Sequence, residues 1–146
     1  MASAEEVPAV AGKTRLSKKA HRQVQVAVHA AEQETGLQFC VYLGPTETDA
    51  RAHAEKLFVD AGLHSRPAVL LLVAPPERRV EIVTAPAVRE RISDQACQTA
   101  IEAMTADFRA GDFASGLSTG IAHLAAVAGP GTAPDGDTEL PDIIEE

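Results

Sequence analysis

The most informative stretch of the chain is an apolar run that passes through a charged turn into an alternating segment. Residues 68–74 are apolar without interruption, which is typical of a strand that is buried on both faces. Residues 80–83 alternate, with Val80 and Ile82 facing the core and Glu81 on the opposite side. The two segments therefore predict a β-hairpin with a central first strand and a more peripheral second strand.

The rest of the chain reads as four helices and one further strand. Apolar residues that recur every three or four positions predict helices at about residues 16–35, 50–61, 94–110 and 112–128. Residues 37–43 are rich in β-branched and aromatic side chains and end at a glycine and a proline, which predicts a strand.

The order of these elements is helix, strand, helix, strand, strand, helix, helix. The helix between the first two strands is long enough for a crossover that joins parallel strands, and such a connection is right-handed. An α/β fold is therefore expected, as a three-layer α/β/α sandwich on a small mixed sheet.

The distribution of charge suggests three regions in the chain. Its formal charge is −8, but six acidic residues and no Lys or Arg lie within residues 129–146. Residues 14–128 hold 12 basic and 13 acidic side chains, so this predicted domain is close to neutral. Residues 1–13 are predicted to be a flexible leader and residues 129–146 an acidic, disordered tail. Neither mixed charge nor an aromatic content of 3% favours nucleic-acid binding.

Cysteine usage and the hydropathy pattern indicate a cytoplasmic protein. Cys40 and Cys97 both occupy apolar-periodic positions and are expected to be buried as small hydrophobic residues, with a disulfide between them as the open alternative. The first residues are acidic where a signal peptide needs positive charge. No apolar stretch approaches the length of about 18 residues that suggests a transmembrane segment.

The spacings of the histidines and glycines favour structural roles over metal or ligand binding. No two histidines have the four-residue spacing of a helical metal site, so all five are expected to be solvated or packed at an edge. They are His21, His29, His53, His64 and His123. Gly116 and Gly120 are four residues apart in a predicted helix, a spacing that favours close helix packing over the approach of a ligand.

Several short motifs occur in an order and at spacings that resemble the TPM domain family. They are Leu16-Ser17, Glu34-Thr35-Gly36, residues 54–58, 69–74 and 78–82, Ser93-Asp94 and residues 108–117. The resemblance covers residues 14–128 and is that of a divergent bacterial member, specifically an actinobacterial one. The family includes a plant thylakoid-lumen protein, a photosystem II repair protein and a nematode receptor modulator. Its implied fold is an α/β/α sandwich.

The resemblance also implies candidate site residues. Asp94 matches the acidic residue of the family's Thr-Asp motif, with Ser93 in place of the threonine, and Arg78 matches the basic residue of the hairpin turn. Some family members are described as acid phosphatases, and a divalent ion is associated with the family's acidic cluster. The resemblance therefore implies that Asp94 and Arg78 are catalytic if the protein is a phosphatase, and that Asp94 binds calcium or magnesium.

The chain departs from the family pattern beside this implied site. Arg66-Pro67 replaces an Asn-Gly before the central strand, and residues 84–86 replace a Gly-Tyr-Gly after the next strand. Both changes remove residues that give the backbone freedom. Asp94 also has a simpler interpretation as a helix cap, and Arg78 as a solvated charge in a turn.

Two hypotheses about function follow. The first is a non-enzymatic binding, assembly or modulatory domain that acts on an unknown protein partner, with the acidic tail as an interaction or solubility segment. The alternative is a weak, divalent-dependent acid phosphatase. The chain has no Cys-x5-Arg loop, paired-aspartate motif or Ser-His-Asp arrangement, so the first hypothesis ranks higher.

Overall fold

The computed structural model describes residues 2–4, 16–46, 49–131 and 143–145. The helices within these residues are α1 (Lys18–Thr35), α2 (Ala50–Asp60), α3 (Asp94–Arg109) and α4 (Phe113–Ala128). The strands within them are β1 (Ala2–Ala4), β2 (Gln38–Leu43), β3 (Ala68–Ala74), β4 (Arg79–Thr84) and β5 (Ile143–Glu145). From α1 to α4 the order of helices and strands is the predicted one.

The strands form one mixed sheet in the order β1-β4-β3-β2-β5. The hairpin is confirmed, since β3 and β4 pair antiparallel from Ala74 opposite Arg79 to Val69 opposite Thr84. β2 lies parallel to β3 on the other side, as the crossover through α2 requires. β4 is less peripheral than predicted, because β1 pairs with its outer edge and residues 80–84 are all buried.

Helices cover both faces of the sheet, which confirms the three-layer sandwich. α2 packs against β3 and β4, while α1 and α3 both pack against α4 in the other helical layer. All seven residues of β3 are buried, which explains why this strand has no polar position. Leu70, Leu71 and Leu72 have no exposed surface and lie at the centre of the core.

α3 and α4 approach each other closely where α4 carries two glycines. A Cβ atom at Gly116 would overlap the ring of Phe108, and one at Gly120 would overlap the side chain of Met104. The predicted role of this pair in helix packing is therefore confirmed. Both cysteines are also buried and are not joined by a disulfide, as expected.

The two terminal strands were not expected from the sequence. Residues 2–4 belong to the predicted leader, yet they pair with β4, and residues 143–145 belong to the predicted tail, yet they pair with β2. The prediction of a flexible leader and a disordered tail is wrong for these residues, because the two sheet edges offer backbone groups to pair with. The other residues of the leader, and residues 132–142 and 146 of the tail, lie outside the described residues. Within the described part, no helix is both long and apolar enough to span a bilayer.

Candidate functional site

Asp94 lies in the first turn of α3 and is exposed to solvent. The helix cap is the preceding residue, since the Ser93 hydroxyl accepts a hydrogen bond of 3.1 Å from the backbone N–H of Ala96. The interpretation of Asp94 as the cap is therefore corrected to Ser93. A carboxylate in the first turn still favours the helix, because it faces the positive end of the helix dipole.

Arg78 lies in the turn between β3 and β4. Its backbone N–H donates a hydrogen bond of 3.0 Å to the carbonyl of Pro75, and its φ of 57° is in the left-handed region. Few residues other than glycine adopt this region, so the tight connection between the two strands constrains the backbone here. The side chain is exposed.

Asp94 and Arg78 lie at opposite ends of the sheet. Arg78 directly precedes β4, whereas Asp94 follows the other end of that strand through a short loop. Arg91 holds this loop beside the start of β2, because its Nη2 atom donates a hydrogen bond of 2.9 Å to the carbonyl of Thr35. A six-residue strand such as β4 is about 20 Å long. The structure therefore does not bring the two implied catalytic residues together.

The loops around Asp94 do not gather a set of metal ligands. Residues 63–67 and 84–94 lie at the same end of the sheet, where the N–H of Ala85 donates to the carbonyl of Ala68 at 3.0 Å. The loop after β2 lies at the opposite end. Across the described residues, no three His, Cys, Asp or Glu side chains are placed so that they could hold a metal ion. The arrangement around Asp94 therefore does not fit the implied calcium or magnesium site.

A polar cluster that the sequence did not reveal lies between α2 and β4. Glu81 has no exposed surface, and each of its carboxylate oxygens meets one arginine. Oε1 is 3.3 Å from Nη1 of Arg51, and Oε2 is 3.1 Å from Nη2 of Arg79. Arg51 also donates to the carbonyl of Ile82 at 3.2 Å and lies 3.5 Å from the carboxylate of Glu55.

The electrostatics of Glu81 reflect its burial. Desolvation raises the pKa of this carboxyl, and the hydrogen bonds and charges of Arg79 and Arg51 oppose the rise. Nη2 of Arg51 is buried without a hydrogen-bond partner in the described part of the chain. Because both oxygens of Glu81 are engaged by guanidinium groups, we interpret the cluster as an ion-pair centre that ties α2 to β4. Val83, an apolar residue on the same side of the strand as Glu81, was the one sequence signal that this face is covered.

A second feature is the outer face of α1, where the sequence predicted that Lys18, Lys19, Arg22 and Gln23 face solvent. No acidic residue occurs within residues 16–31, and the exposed side chains there include Lys18, Lys19, Arg22 and His29. Val26 on this face is 62% exposed. α1 also has no acidic residue in its first turn, whereas α3 carries Asp94 there and Arg109 in its last turn. The charges of α3 suit the helix dipole, and the lysines of α1 oppose it.

Two shallow grooves follow this face of α1. The first has a volume of about 420 Å³ and includes Lys18, His21 and Arg22 in its lining. The second, of about 370 Å³, continues from Arg22 to Val26 and His29. The face therefore offers an open surface that runs for several turns of helix and carries positive charge in its first part, at Lys18, Lys19 and Arg22.

The outer edge of β2 lies beside the start of this face. β5 pairs parallel with β2, with Ile143 opposite Val41 and Glu145 opposite Leu43. Ile143 is 8% exposed, and Oε1 of Glu145 lies 3.4 Å from Nδ1 of His21 on α1. β5 therefore ends where the first groove on α1 begins.

The model of the TPM domain matches residues 11–127 of the chain, which is most of its length. The chain belongs to the TPM domain family. The family resemblance drawn from the motifs is thereby confirmed. In this TPM domain the match includes α1 to α4 and β2 to β4, and it stops before β5.

The relatives of this TPM domain are distant. The uncharacterized proteins MT2543 and Rv2468c of Mycobacterium tuberculosis (strains CDC 1551 / Oshkosh and ATCC 25618 / H37Rv) are each 30% identical to it over 95 residues. The matched part is 65% of this chain and 56% of each relative, so the chain spans little more than half of their length.

Two solved structures share the fold. The NMR structure of the BA42 protein from the psychrophilic bacterium Bizionia argentinensis is 24% identical, with a TM-score of 0.76, and the match covers 90% of this chain and 95% of that one. The N-terminal domain of a P. gingivalis protein is also 24% identical, with a TM-score of 0.67 and coverages of 77% and 75%. At this identity the two structures establish the fold of the TPM domain and carry no function over to it.

Proposed function

We propose that this TPM domain is a non-enzymatic protein-binding domain whose outer α1 face binds an acidic segment of a partner protein. The observation that carries the proposal is the charge of that face. Lys18 and Lys19 lie in the first turn of α1 and oppose the helix dipole, so they do not serve the stability of the helix. Residues that do not stabilise the element in which they lie are often found at functional sites.

The exposed valine on the same face supports a protein partner. Val26 lies between Arg22 and His29 along the second groove, so an apolar contact there would lie one turn from the positive charge of Arg22. Complementary charge steers a partner and selects against wrong ones, while an apolar contact adds affinity. An acidic segment that carries an apolar side chain has both properties.

The placement of Asp94 and Arg78 weighs against the competing phosphatase function. Phosphoryl transfer needs a positive group that stabilises the negative charge on the phosphoryl oxygens in the transition state. That group must lie next to the residue that activates the nucleophile. These two residues flank opposite ends of β4. The cytoplasmic location stays a prediction.

Binding is tested with fluorescein-labelled poly-L-glutamate as the probe, followed by fluorescence anisotropy. We expect the wild-type domain to bind this probe in a salt-dependent manner. The double variant Lys18→Glu, Arg22→Glu should lose at least about tenfold in affinity. Lys56→Glu, on the exposed side of α2, is the matched control and should bind as the wild type does. Equal binding by the α1 double variant would contradict the proposal.

Catalysis is tested with a generic aryl phosphate in the presence of magnesium or calcium. We expect the purified wild-type domain and Asp94→Asn to hydrolyse it at the same background rate. A turnover that Asp94→Asn abolishes would overturn the non-enzymatic proposal. Thermal unfolding with either ion adds a second readout, because an ion that binds only the native state raises the melting temperature, and we expect no such rise at about millimolar ion.

A further inference from the structure

The outer edge of β2 is the place where the fold meets a short segment from the far end of the chain. Alternation along β2 directs every second N–H outward. Gln38 donates inward to the carbonyl of Pro67 at 2.8 Å, so Phe39, Val41 and Leu43 direct their N–H groups toward the outer edge. This edge would be open to pairing if nothing covered it.

Two different groups cover the two halves of this edge. Near the start of β2 a side chain does so, because Oε2 of Glu32 accepts a hydrogen bond of 3.0 Å from the N–H of Phe39. Beyond it, Val41 and Leu43 lie in register with Ile143 and Glu145 of β5. The length available for an added strand is therefore about three residues, and Glu32 marks its beginning.

The segment that fills this space has a distinctive chemistry. Ile143 is buried, Ile144 packs against the core with part of its surface exposed, and Glu145 reaches His21. Lys18 and Arg22 line the first groove together with His21 and are its neighbours on α1. The edge therefore accepts two branched apolar residues and continues into a surface that is suited to acids.

We propose that the outer edge of β2 is a strand-docking site, which β5 occupies within the chain and which an extended segment of a partner protein takes over. The partner segment has two adjacent branched apolar residues followed by acidic residues, and it adds to the sheet as β5 does. The inference rests on the proposed function, for which it names the binding site and the partner's sequence type.

Exchange is physically reasonable because β5 is held weakly. It contributes three residues and pairs with one strand only, and short edge strands open locally long before the whole domain unfolds. A partner segment competes with β5, which belongs to the same chain and is therefore present at an effective concentration of about millimolar. To displace β5, the partner must gain affinity from additional acidic residues that contact Lys18 and Arg22. β5 thereby sets a threshold against weak partners.

The test uses the full chain with β5 displaced. Ile143→Asp places a charge at a buried position and removes the occupant, and Val59→Asp adds the same charge at an exposed position on α2 as the matched control. The probe is a synthetic peptide with the sequence of residues 141–146. The readout is the set of backbone amide NMR signals of Val41, Leu43 and His21.

We expect the peptide to shift these signals in Ile143→Asp and to return those of Val41 and Leu43 toward their wild-type positions. The wild type and Val59→Asp should need about tenfold more peptide, because β5 competes. Adding Lys18→Glu and Arg22→Glu to Ile143→Asp should weaken binding severalfold. If Ile143→Asp does not fold, Ile143→Ser removes the apolar contact without adding charge and takes its place.

Three results would overturn the inference. The first is a folded Ile143→Asp or Ile143→Ser variant whose Val41 and Leu43 signals do not respond to the peptide. The second is an equal response to a peptide in which both isoleucines are replaced by serine. The third is a wild-type dimer that Ile143→Asp dissociates, which would make a second copy of the chain the occupant. If poly-L-glutamate binds but this peptide does not, the proposed function stands and only the strand-docking site is lost.

Discussion

The centre and the outer edge of the sheet each place a glutamate against basic side chains, with opposite consequences. At the centre, Glu81 has no exposed surface and is held by Arg51 and Arg79. At the edge, the side chain of Glu145 is 13% exposed and contacts His21. Removal of a partner from a buried carboxylate leaves an unpaired charge in a place without water. The same change at the edge costs less, because the contact is partly open to solvent on the His21 side.

The difference indicates which of the two contacts is suited to exchange. The central cluster joins α2 to a strand with neighbours on both sides, so it cannot open without disturbing the core. The edge contact belongs to a three-residue strand that pairs on one side only. The polar centre therefore fixes the fold, and the polar edge is available for recognition.

The largest effect is expected from Arg51→Met, which keeps an unbranched apolar side chain and removes the guanidinium group. Glu81 loses one of its two arginines, and the free energy of unfolding at neutral pH should fall by about 3 kcal/mol, as urea denaturation measures it. Lys56→Met, at an exposed pair with Asp60 on the same helix, is the control and should change it by less than about 0.5 kcal/mol. Equal effects of the two variants would show that the buried cluster is no more important than a surface pair.

The pH dependence of stability tests the same cluster through the protonation of Glu81. Burial raises the pKa of this carboxyl above its ordinary value of 4.5, so the folded protein holds the proton more tightly than the unfolded chain. The stabilisation from this group is fully present below the ordinary value and is lost as the pH rises through the folded pKa. Glu81→Gln lacks this dependence.

We therefore expect the stability of the wild type relative to Glu81→Gln to decrease as the pH rises above the ordinary value of 4.5 and through the folded pKa. Urea denaturation of both proteins across this range measures the difference. A difference that increases with pH would mean that the two arginines outweigh burial and lower the pKa of Glu81.

The sequence predicted the centre of the fold because periodicity reports burial locally. The unbroken apolar run at residues 68–74 is buried on both faces, and the helices fall where the three- to four-residue spacing indicates them. Val83 indicated that the Glu81 face is covered, but the ion pair of Glu81 with Arg51, which lies 30 positions earlier in the chain, is not revealed by any local pattern. β1 and β5 are three residues long, too short for any period to appear.

The implied site shows a different limit of the sequence. Family resemblance identified Asp94 and Arg78 one at a time, and it said nothing about the distance between them. Their separation follows from topology, because one residue precedes β4 and the other follows it. Residues that flank a single strand lie at opposite ends of it, so this part was open to prediction once the hairpin was recognised.

An intermediate effect is expected when the edge loses its apolar contact. Ile143→Ala should lower the free energy of unfolding by about 1 kcal/mol, because β5 can detach and leave no cavity behind. Ile82→Ala, in the fully buried part of β4, is the matched control and should lower it by about 3 kcal/mol. Urea denaturation of the two variants measures both changes.

Amide hydrogen exchange locates the effect of Ile143→Ala. Exchange at Val41 and Leu43 should become faster, since their N–H groups face β5, while exchange at Leu71 in the central strand should follow global unfolding. Equal acceleration at all three positions would mean that β5 is part of the cooperative core and not an exchangeable strand.

The smallest effect is expected from Glu145→Gln, which removes the charge that meets His21 and keeps the shape of the side chain. The contact is long, at 3.4 Å, and 36% of the His21 side chain is open to solvent, so the free energy of unfolding should change by a few tenths of a kcal/mol. The same substitution in the peptide of residues 141–146 should nevertheless weaken its binding to Ile143→Asp measurably at low salt, because charge at an interface governs selection more than stability. A loss of stability above about 1 kcal/mol would instead place Glu145 with Glu81, among the contacts that hold the fold together.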